Sequence, residues 1–266
     1  MDLRDIPPAR ILLNEVDKTY RWATGRSRPR IVFQHLPKCA GSSVTYFLRR
    51  RIGTAKSGQF YEFHEFDSSL TAEERNHKAL NAKFAAGHFG MDLLETIRPG
   101  AIVFTFLREP RKRLQSAYRF IRSITESTGE TYCSYEEFLS SDNISHIHMR
   151  DNIMTRLMGA SYFTDLSAPD ERTMCLQRAK SQLVTVDFFG FQEDFDDDFP
   201  ALMRLLDFSV PRKAPKERVT KITDHSEVRG WTESRHIQNL EDACIELDVQ
   251  FYEFARNLKR ERSSPS

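Results

Sequence analysis

The sequence predicts an α/β fold in three layers, with a central parallel sheet between two layers of helices. Short apolar strands alternate along the chain with segments of helical periodicity, and this alternation is typical of parallel sheets. One strand, Ala101–Leu107, is an unbroken apolar run, as expected of a strand that is buried on both faces. A length of 266 residues suits one large α/β domain with a sizeable core.

The first element is a predicted strand at Ile31–Phe33, followed by a Pro-Lys turn with small residues and a predicted helix at Ser43–Arg51. A strand that passes through a tight small-residue loop into a helix N-terminus is suited to holding phosphate. Loop N–H groups and the positive end of the helix dipole both face the anion there. We therefore predict an anion site in the loop Pro37–Ser43, where Lys38 adds a mobile positive charge.

This loop differs from a Walker A loop. The Walker A pattern is Gly-x-x-x-x-Gly-Lys-Ser/Thr, with the lysine directly before the hydroxyl residue. Here Lys38 stands at the start of the loop, three residues before Gly41. The order of strand, loop and helix is P-loop-like, but the loop itself is not a Walker A loop. Taken alone, it also fits an ordinary strand-to-helix turn.

A second strand-loop-helix unit supports the anion site. The long apolar strand ends at Arg108, Pro110 fits the first turn of the next helix, and Glu109 suits its positive end. That helix is predicted at Arg111–Arg122, with Ser116 about two turns after the strand. Ligands in open α/β sheets bind outside the carboxyl ends of strands, so we expect both units to face one crevice.

The remaining elements follow from periodicity and end signals. Helices are predicted at 71–80 (opened by a capping box from Thr71 to Glu74), 134–141, 151–159, 169–183, 194–207 and 232–258, strands at 84–89 and 183–191, and polar, loop-rich stretches at 52–82 and 123–132. The acidic run from Asp194 to Asp198 is interpreted as the start of a helix. Residues 1–29 are expected to form an N-terminal extension, 30–258 the domain, and 259–266 a polar tail.

Composition narrows the functional classes. The net charge of +1 does not point to nucleic acid as a partner. The four cysteines lack metal-ligand spacing and are interpreted as reduced thiols, and no metal is expected. The chain has no apolar run of 18 residues and no signal-peptide pattern, so we expect no integral membrane segment.

Four motifs follow one another along the chain. The first consists of His35, Pro37, Lys38, Gly41, Ser42 and Ser43, the second of Arg108, Glu109, Pro110, Arg113, Ser116 and Tyr118, the third of Asp151, Asn152, Thr155, Arg156 and Gly159, and the fourth of Phe188–Phe195. Together they span roughly residues 30–258. In this order they resemble the motifs of the sulfotransferases that use 3′-phosphoadenosine 5′-phosphosulfate (PAPS). The nearest branch includes Golgi carbohydrate O-sulfotransferases, such as the uronyl 2-O-sulfotransferases, and bacterial relatives. Golgi members carry an N-terminal membrane anchor that this sequence does not show, so the resemblance implies a cytoplasmic, bacterial protein.

The resemblance implies transfer of a sulfuryl group from PAPS to an acceptor hydroxyl, with a carbohydrate as the expected acceptor. The 5′-phosphosulfate needs preorganised hydrogen-bond donors, which Lys38 and the N–H groups of Ala40, Gly41, Ser42 and Ser43 supply. Pro37, which has no N–H, is counted with them as a cofactor-binding residue of the loop. The 3′-phosphate needs separate recognition, which suits the guanidinium of Arg108 and the hydroxyl of Ser116. The family assigns these two positions the same role.

In-line transfer also needs a general base to accept the proton of the attacking hydroxyl. We favour His88, which follows a short apolar run and stands between glycines, and the resembled uronyl enzymes have a histidine in a similar context. The alternative is the cluster Glu62, His64 and Glu65. His35, which precedes the loop, is interpreted as a packed, hydrogen-bonded histidine.

Other interpretations remain open at this stage. The acceptor could be a protein tyrosine or a small natural product. A P-loop-like nucleotide kinase, or a relative that only binds a nucleotide or a glycan, would have the same architecture. Asn152 and Arg156 share a helix face that either touches the acceptor or holds a structural salt bridge. The basic stretch 212–221 either closes over an anion or is a solvated loop.

Overall fold

The structure is a computed structural model that describes residues 29–52, 60–64, 70–215 and 230–263. Parts of four predicted segments lie outside these residues. They are all but the last residue of the N-terminal extension, residues 53–59 and 65–69 of the polar stretch (with Glu65), the basic stretch from 216 onward, and the last three residues of the polar tail.

A five-stranded sheet forms the centre of the fold, and all its pairings are parallel. The strands are β1 (Arg30–Gln34), β2 (Phe60–His64), β3 (Phe84–His88), β4 (Ala101–Leu107) and β5 (Phe188–Phe191). Their spatial order is β2-β3-β1-β4-β5, so β1 is central and β2 and β5 are the edges. The predicted three-layer α/β fold is confirmed.

Helices flank this sheet. They are α1 (Gly41–Ile52), α2 (Ala72–Asn81), α3 (Met91–Ile97), α4 (Pro110–Ser127), α5 (Tyr135–Ser140), α6 (Ile144–Arg150), α7 (Ile153–Gly159), α8 (Pro169–Thr185), α9 (Phe195–Leu205) and α10 (Arg235–Ser263). Two end signals act as predicted. Thr71 and Glu74 form the capping box of α2, and Glu109 caps α4 by accepting from the N–H groups of Arg111 and Lys112.

The three inner strands are buried because helices cover both faces of the sheet. All seven residues of β4 are buried, as its apolar run predicts. On β1, Phe33 stacks on Phe104 of β4 with ring centroids 4.6 Å apart, and both rings are fully buried. This packing fixes the register in which Gln34 pairs with Thr105 on one side and with Gly87 of β3 on the other.

Some elements were not predicted. β2 lies in a stretch that was expected to be loop-rich, and α3 and α6 are short additional helices. β2 is an edge strand whose five residues include Glu62 and His64, so it lacks the apolar run that marks an inner strand. No residue of α6 is fully buried, so this helix leaves no clear apolar stripe in the sequence.

Three predicted boundaries were wrong by several residues. The predicted loop at 123–132 begins too early in the sequence, because α4 continues to Ser127. This last part of α4 is an exposed helix with an i,i+4 contact of 3.7 Å between Arg122 and Glu126. The last strand begins at Phe188 rather than at 183, because Leu183 and Val184 are buried on the packed face of α8. The C-terminal helix continues to Ser263, past the predicted end at 258.

In the described part of the chain, no helix has a stretch long and apolar enough to cross a membrane.

A buried carboxylate joins α4 to α10. Glu241 is fully buried, forms an ion pair with Arg111, and accepts hydrogen bonds from Gln115 at 2.9 Å and from the Tyr135 hydroxyl at 2.8 Å. Burial and the adjacent Glu241 carboxylate raise the pKa of Tyr135. A second carboxylate, Asp242, contacts the same arginine at 2.5 Å but is exposed.

Loss of the buried carboxylate should destabilise the fold far more than loss of the exposed one. We expect Glu241→Ala to lower the free energy of unfolding by about 3–5 kcal/mol, because it leaves buried donors without a partner. The matched control Asp242→Ala should cost less than about 1 kcal/mol. Urea denaturation measures both, and equal losses would contradict the assignment of Glu241 as the link between the two helices.

Candidate active site

The loop between β1 and α1 has a backbone shape suited to an anion. Lys38 and Ala40 have φ values of 67° and 62°, in the left-handed region that residues with a Cβ rarely adopt. Within the described residues, the N–H groups of Ala40, Gly41 and Ser42 donate to no protein acceptor. Ser43 N–H already donates to the Ala40 carbonyl at 3.1 Å. Three donors of the strained loop are therefore available to a ligand.

The side chains of the loop differ in exposure. Pro37 and Ser43 are buried, Lys38 and Ala40 are partly exposed, and the Ser42 hydroxyl faces solvent. The helix begins at Gly41, two residues before the predicted start, so both serines lie in its first turn.

Arg108 lies at the carboxyl end of β4, directly beside this loop. Its Nη1 donates to the Lys38 carbonyl at 3.1 Å, while its buried Nε has no hydrogen-bond partner among the described residues. Burial lowers the pKa of this guanidinium below its usual range, although an arginine stays protonated in proteins. A partly buried cation with an unsatisfied donor favours an anionic ligand.

Lys38 reaches from the loop to α4. Its Nζ lies 3.9 Å from the centroid of the Phe120 ring, a cation–π contact. Phe120 follows Ser116 by four residues, so the two side chains share one face of α4, and Ser116 is buried there. The sequence analysis missed Phe120. The signal that could have found it is this spacing, which places a ring one turn beyond the predicted phosphate contact.

His88 lies on the other side of the loop. Gly87 pairs with Gln34, so His88 ends β3 level with His35 of β1, and His88 Nδ1 donates to the His35 carbonyl at 2.5 Å. A carbonyl only accepts, so Nδ1 is the donor of this contact, and in a neutral imidazole Nε2 is then the acceptor. The imidazole is half-buried. The structure thus brings the predicted base next to the predicted anion loop.

The alternative base cluster is only partly described. β2 pairs with β3 so that His64 lies beside His88, while Glu62 lies two residues earlier and is exposed. The choice between His88 and this cluster stays a prediction.

A sequence model of the sulfotransferase family matches residues 25–255 of the chain. This match covers most of the sequence and both strand-loop-helix units. The chain belongs to the sulfotransferase family. Its activity is that of a sulfotransferase enzyme, and the sulfate donor of the family is PAPS. A search of curated proteins found no significant match.

The third motif of this sulfotransferase holds the fold together. Arg156, which is almost fully buried, forms an ion pair with Asp151, so the structure favours the salt-bridge interpretation of this arginine. Gly159 is required by packing, because a Cβ there would overlap the backbone of Cys175 on α8.

Asn152 links α7 to α10. It has a left-handed backbone with φ 47°, its N–H donates to the Cys244 carbonyl at 2.8 Å, and its Oδ1 accepts from the N–H of Leu247 at 2.7 Å. In return, Asp248 of α10 accepts from the N–H and the hydroxyl of Thr155 at 2.8 and 2.9 Å. Each helix therefore satisfies polar groups of the other, far from each other in sequence.

The acidic run that begins at the end of the fourth motif has a structural role. Asp198 accepts from the N–H of Phe191 at 2.7 Å and from Lys259 of α10 at 2.5 Å. Asp194 forms ion pairs with Lys259 and with Arg256. As predicted, the acidic run begins helix α9, and two of its carboxylates, Asp194 and Asp198, are paired with α10.

The described residues contain no group of three or more His, Cys, Asp or Glu side chains arranged to hold a metal. Cys39 lies within the loop but is fully buried, and burial raises the pKa of its thiol to about 12. This supports its interpretation as a small packed side chain rather than a reactive thiol.

The buried carboxyl of Asp248 should make stability depend on pH. Burial raises the pKa of Asp248 above the ordinary value of 3.8. The neutral carboxyl therefore stabilises the folded state fully below pH 3.8, and this contribution is lost as the pH rises through the folded-state pKa. Asp248→Asn keeps an acceptor for Thr155 but cannot ionise. We expect the difference in thermal midpoint, variant minus wild type, to increase as the pH is raised from about 4 to about 7.

Asp165 provides a control of opposite sign. It is exposed, and hydrogen bonds from Ser167 lower its pKa, so its contribution is present above the ordinary value and lost at lower pH. The thermal midpoint of Asp165→Asn minus that of the wild type should therefore decrease slightly as the pH rises over the same range. A flat difference for Asp248→Asn would show that the carboxyl is not perturbed by burial.

Proposed function

We propose that this sulfotransferase moves a sulfuryl group from PAPS to a carbohydrate hydroxyl, with His88 as the general base. One observation carries the proposal: the loop Pro37–Ser43 lies between Arg108, a partly buried cation with an unsatisfied donor, and His88, whose Nε2 is an acceptor. An anion-binding loop flanked by a cation on one side and a base on the other is what sulfuryl transfer needs.

The donor would be held at both ends. Its 5′-phosphosulfate would bind the loop formed by Pro37, Lys38, Ala40, Gly41, Ser42 and Ser43, where free N–H groups meet the start of α1. Its 3′-phosphate would bind Arg108 and Ser116, and the unsatisfied Nε of Arg108 fits a charged oxygen acceptor. When bound, the donor supplies the activated sulfuryl group.

The chain's own residues would perform two tasks during transfer. His88 Nε2 accepts the proton of the acceptor hydroxyl as its oxygen forms a bond to sulfur. The bond between sulfur and the bridging phosphate oxygen breaks, and Lys38 and the loop N–H groups stabilise the negative charge that develops on that oxygen. The products are a sulfate ester, 3′-phosphoadenosine 5′-phosphate (PAP), and a proton on His88. Neither task requires a metal.

The acceptor class rests on the resemblance to the carbohydrate branch of the family, which is an argument by analogy. Protein tyrosine and a small natural product are the alternatives. The cytoplasmic, bacterial setting expected from the sequence stays a prediction.

Donor recognition can be tested without an acceptor. We expect the wild type to bind PAP in the absence of metal, and Arg108→Ala to lose about 10- to 100-fold in affinity because a charged hydrogen-bond partner of the phosphate is removed. Isothermal titration calorimetry measures both.

Lys112→Ala is the matched control, since it removes a positive charge from an exposed position in the first turn of the same helix. Its affinity for PAP should stay within about 2-fold of the wild type. Absence of PAP binding, or binding of ATP only with Mg²⁺, would overturn the proposal in favour of a kinase-like protein.

The base can be tested once an acceptor is found. PAP release from PAPS should be measured with a uronic-acid polysaccharide, a tyrosine peptide and 4-nitrophenol, and we expect the polysaccharide to be sulfated. With that acceptor, His88→Gln should lower turnover by about 10²- to 10⁴-fold, because the proton has no acceptor, while PAP affinity stays within about 3-fold.

His77→Gln, which changes an exposed histidine on α2, is the control and should leave turnover unchanged. If His88→Gln retains turnover and Glu62→Gln loses it, the base is the carboxylate on β2. PAP binding without transfer to any acceptor would indicate a protein that binds the nucleotide without catalysis.

A further inference from the structure

We infer that His35 is a positioning residue that links the donor loop to His88, by acting as a wedge between Gly41 and the His88 ring. This inference rests on the proposed function of the loop and of His88. It assigns a role to a histidine that would otherwise be counted as part of the core.

The contact with the loop is unusually close. A Cβ placed on Gly41 would overlap the Nε2, Cδ2 and Cε1 atoms of His35, so the imidazole packs directly against the first residue of α1. The backbone of Gly41 does not have a positive φ, so alanine could adopt its conformation. The requirement for glycine at this position therefore comes from the His35 ring and not from backbone strain.

The contact with His88 is twofold. The His35 ring lies 4.4 Å from the His88 ring, centroid to centroid, and the His35 carbonyl accepts from His88 Nδ1 at 2.5 Å. The same residue thus fixes the tautomer of the proposed base and supports one side of its ring.

The third neighbour holds His35 itself in place. Its ring stacks on Phe33 at 5.2 Å with an interplanar angle of 16°, and Phe33 in turn stacks on Phe104 in the buried sheet. His35 is therefore braced from the core on one side and contacts both parts of the site on the others. Any shift of Gly41 when an anion fills the loop would press on a ring that cannot retreat into the close-packed core.

A double-mutant cycle tests the contact between His35 and Gly41. Gly41→Ala alone should lower the thermal midpoint and weaken PAP binding about 10-fold or more, because the new methyl group overlaps the imidazole. His35→Ala removes the obstacle. The double variant should regain PAP affinity to within about 3-fold of His35→Ala, together with most of the lost thermal midpoint.

Gly90→Ala is the matched control. Its added Cβ would meet the backbone of Ala160 and Ser161 rather than His35, so His35→Ala should not rescue it. Additive effects of His35→Ala and Gly41→Ala on the thermal midpoint would contradict the proposed contact between His35 and Gly41. This measurement needs neither PAPS nor PAP, so it does not depend on the proposed function. If His35→Ala does not fold, His35→Asn, which also withdraws the ring from Gly41, replaces it in the same cycle.

Nuclear magnetic resonance of the His88 imidazole tests the link itself. With histidine labelled with nitrogen-15 and the signal assigned through His88→Gln, saturation with PAP should shift the His88 resonances in the wild type. In His35→Ala the shift should fall by at least half, which a purely structural role of His35 would not produce. An equal shift in both proteins would overturn this inference alone, whereas failure of the wild type to bind PAP would overturn the proposed function.

Discussion

The pairing of β1 with β3 on one side and β4 on the other is the constraint on which the site depends. Strands in a parallel sheet end at the same edge, and the crossover from one side of β1 to the other opens a crevice there. The register then sets which residues meet, since His88 is level with His35 and Arg108 follows the strand on the opposite side. The core residues affect the site chiefly by holding this register, and the stacked rings of Phe33 and Phe104 are among them.

Local signals made much of the fold and of the site predictable. The apolar run of β4, the proline and glutamate that begin α4, and the capping box of α2 are short-range patterns whose physical causes lie within a few residues. The same holds for the loop after β1, where small residues and a lysine follow a strand. These patterns predicted which residues would lie at the carboxyl edge.

The features that were missed depend on contacts between distant segments. β2 is recognisable only as a partner of β3, and the contact of Phe120 with Lys38 joins residues from different strand-loop-helix units. The reciprocal bonds of Asn152 and Asp248 join α7 to α10 across about a hundred residues. A family motif can therefore consist of structural residues, and the sequence alone does not separate them from residues that touch the ligand.

The hydrogen bond from Arg108 to the Lys38 carbonyl has a consequence for selectivity among nucleotides. Arg108, which is proposed to bind the 3′-phosphate, also stabilises the backbone turn that would bind the 5′-phosphosulfate. The groups that bind the two ends of the donor are therefore joined by a hydrogen bond. A nucleotide without a 3′-phosphate would leave the Arg108 donor unsatisfied in a half-buried position. Sites that are built around such a partner reject analogues lacking it by up to about 10⁴- to 10⁵-fold. In a cell, where ATP is abundant, this arrangement would keep the loop available for the scarcer donor.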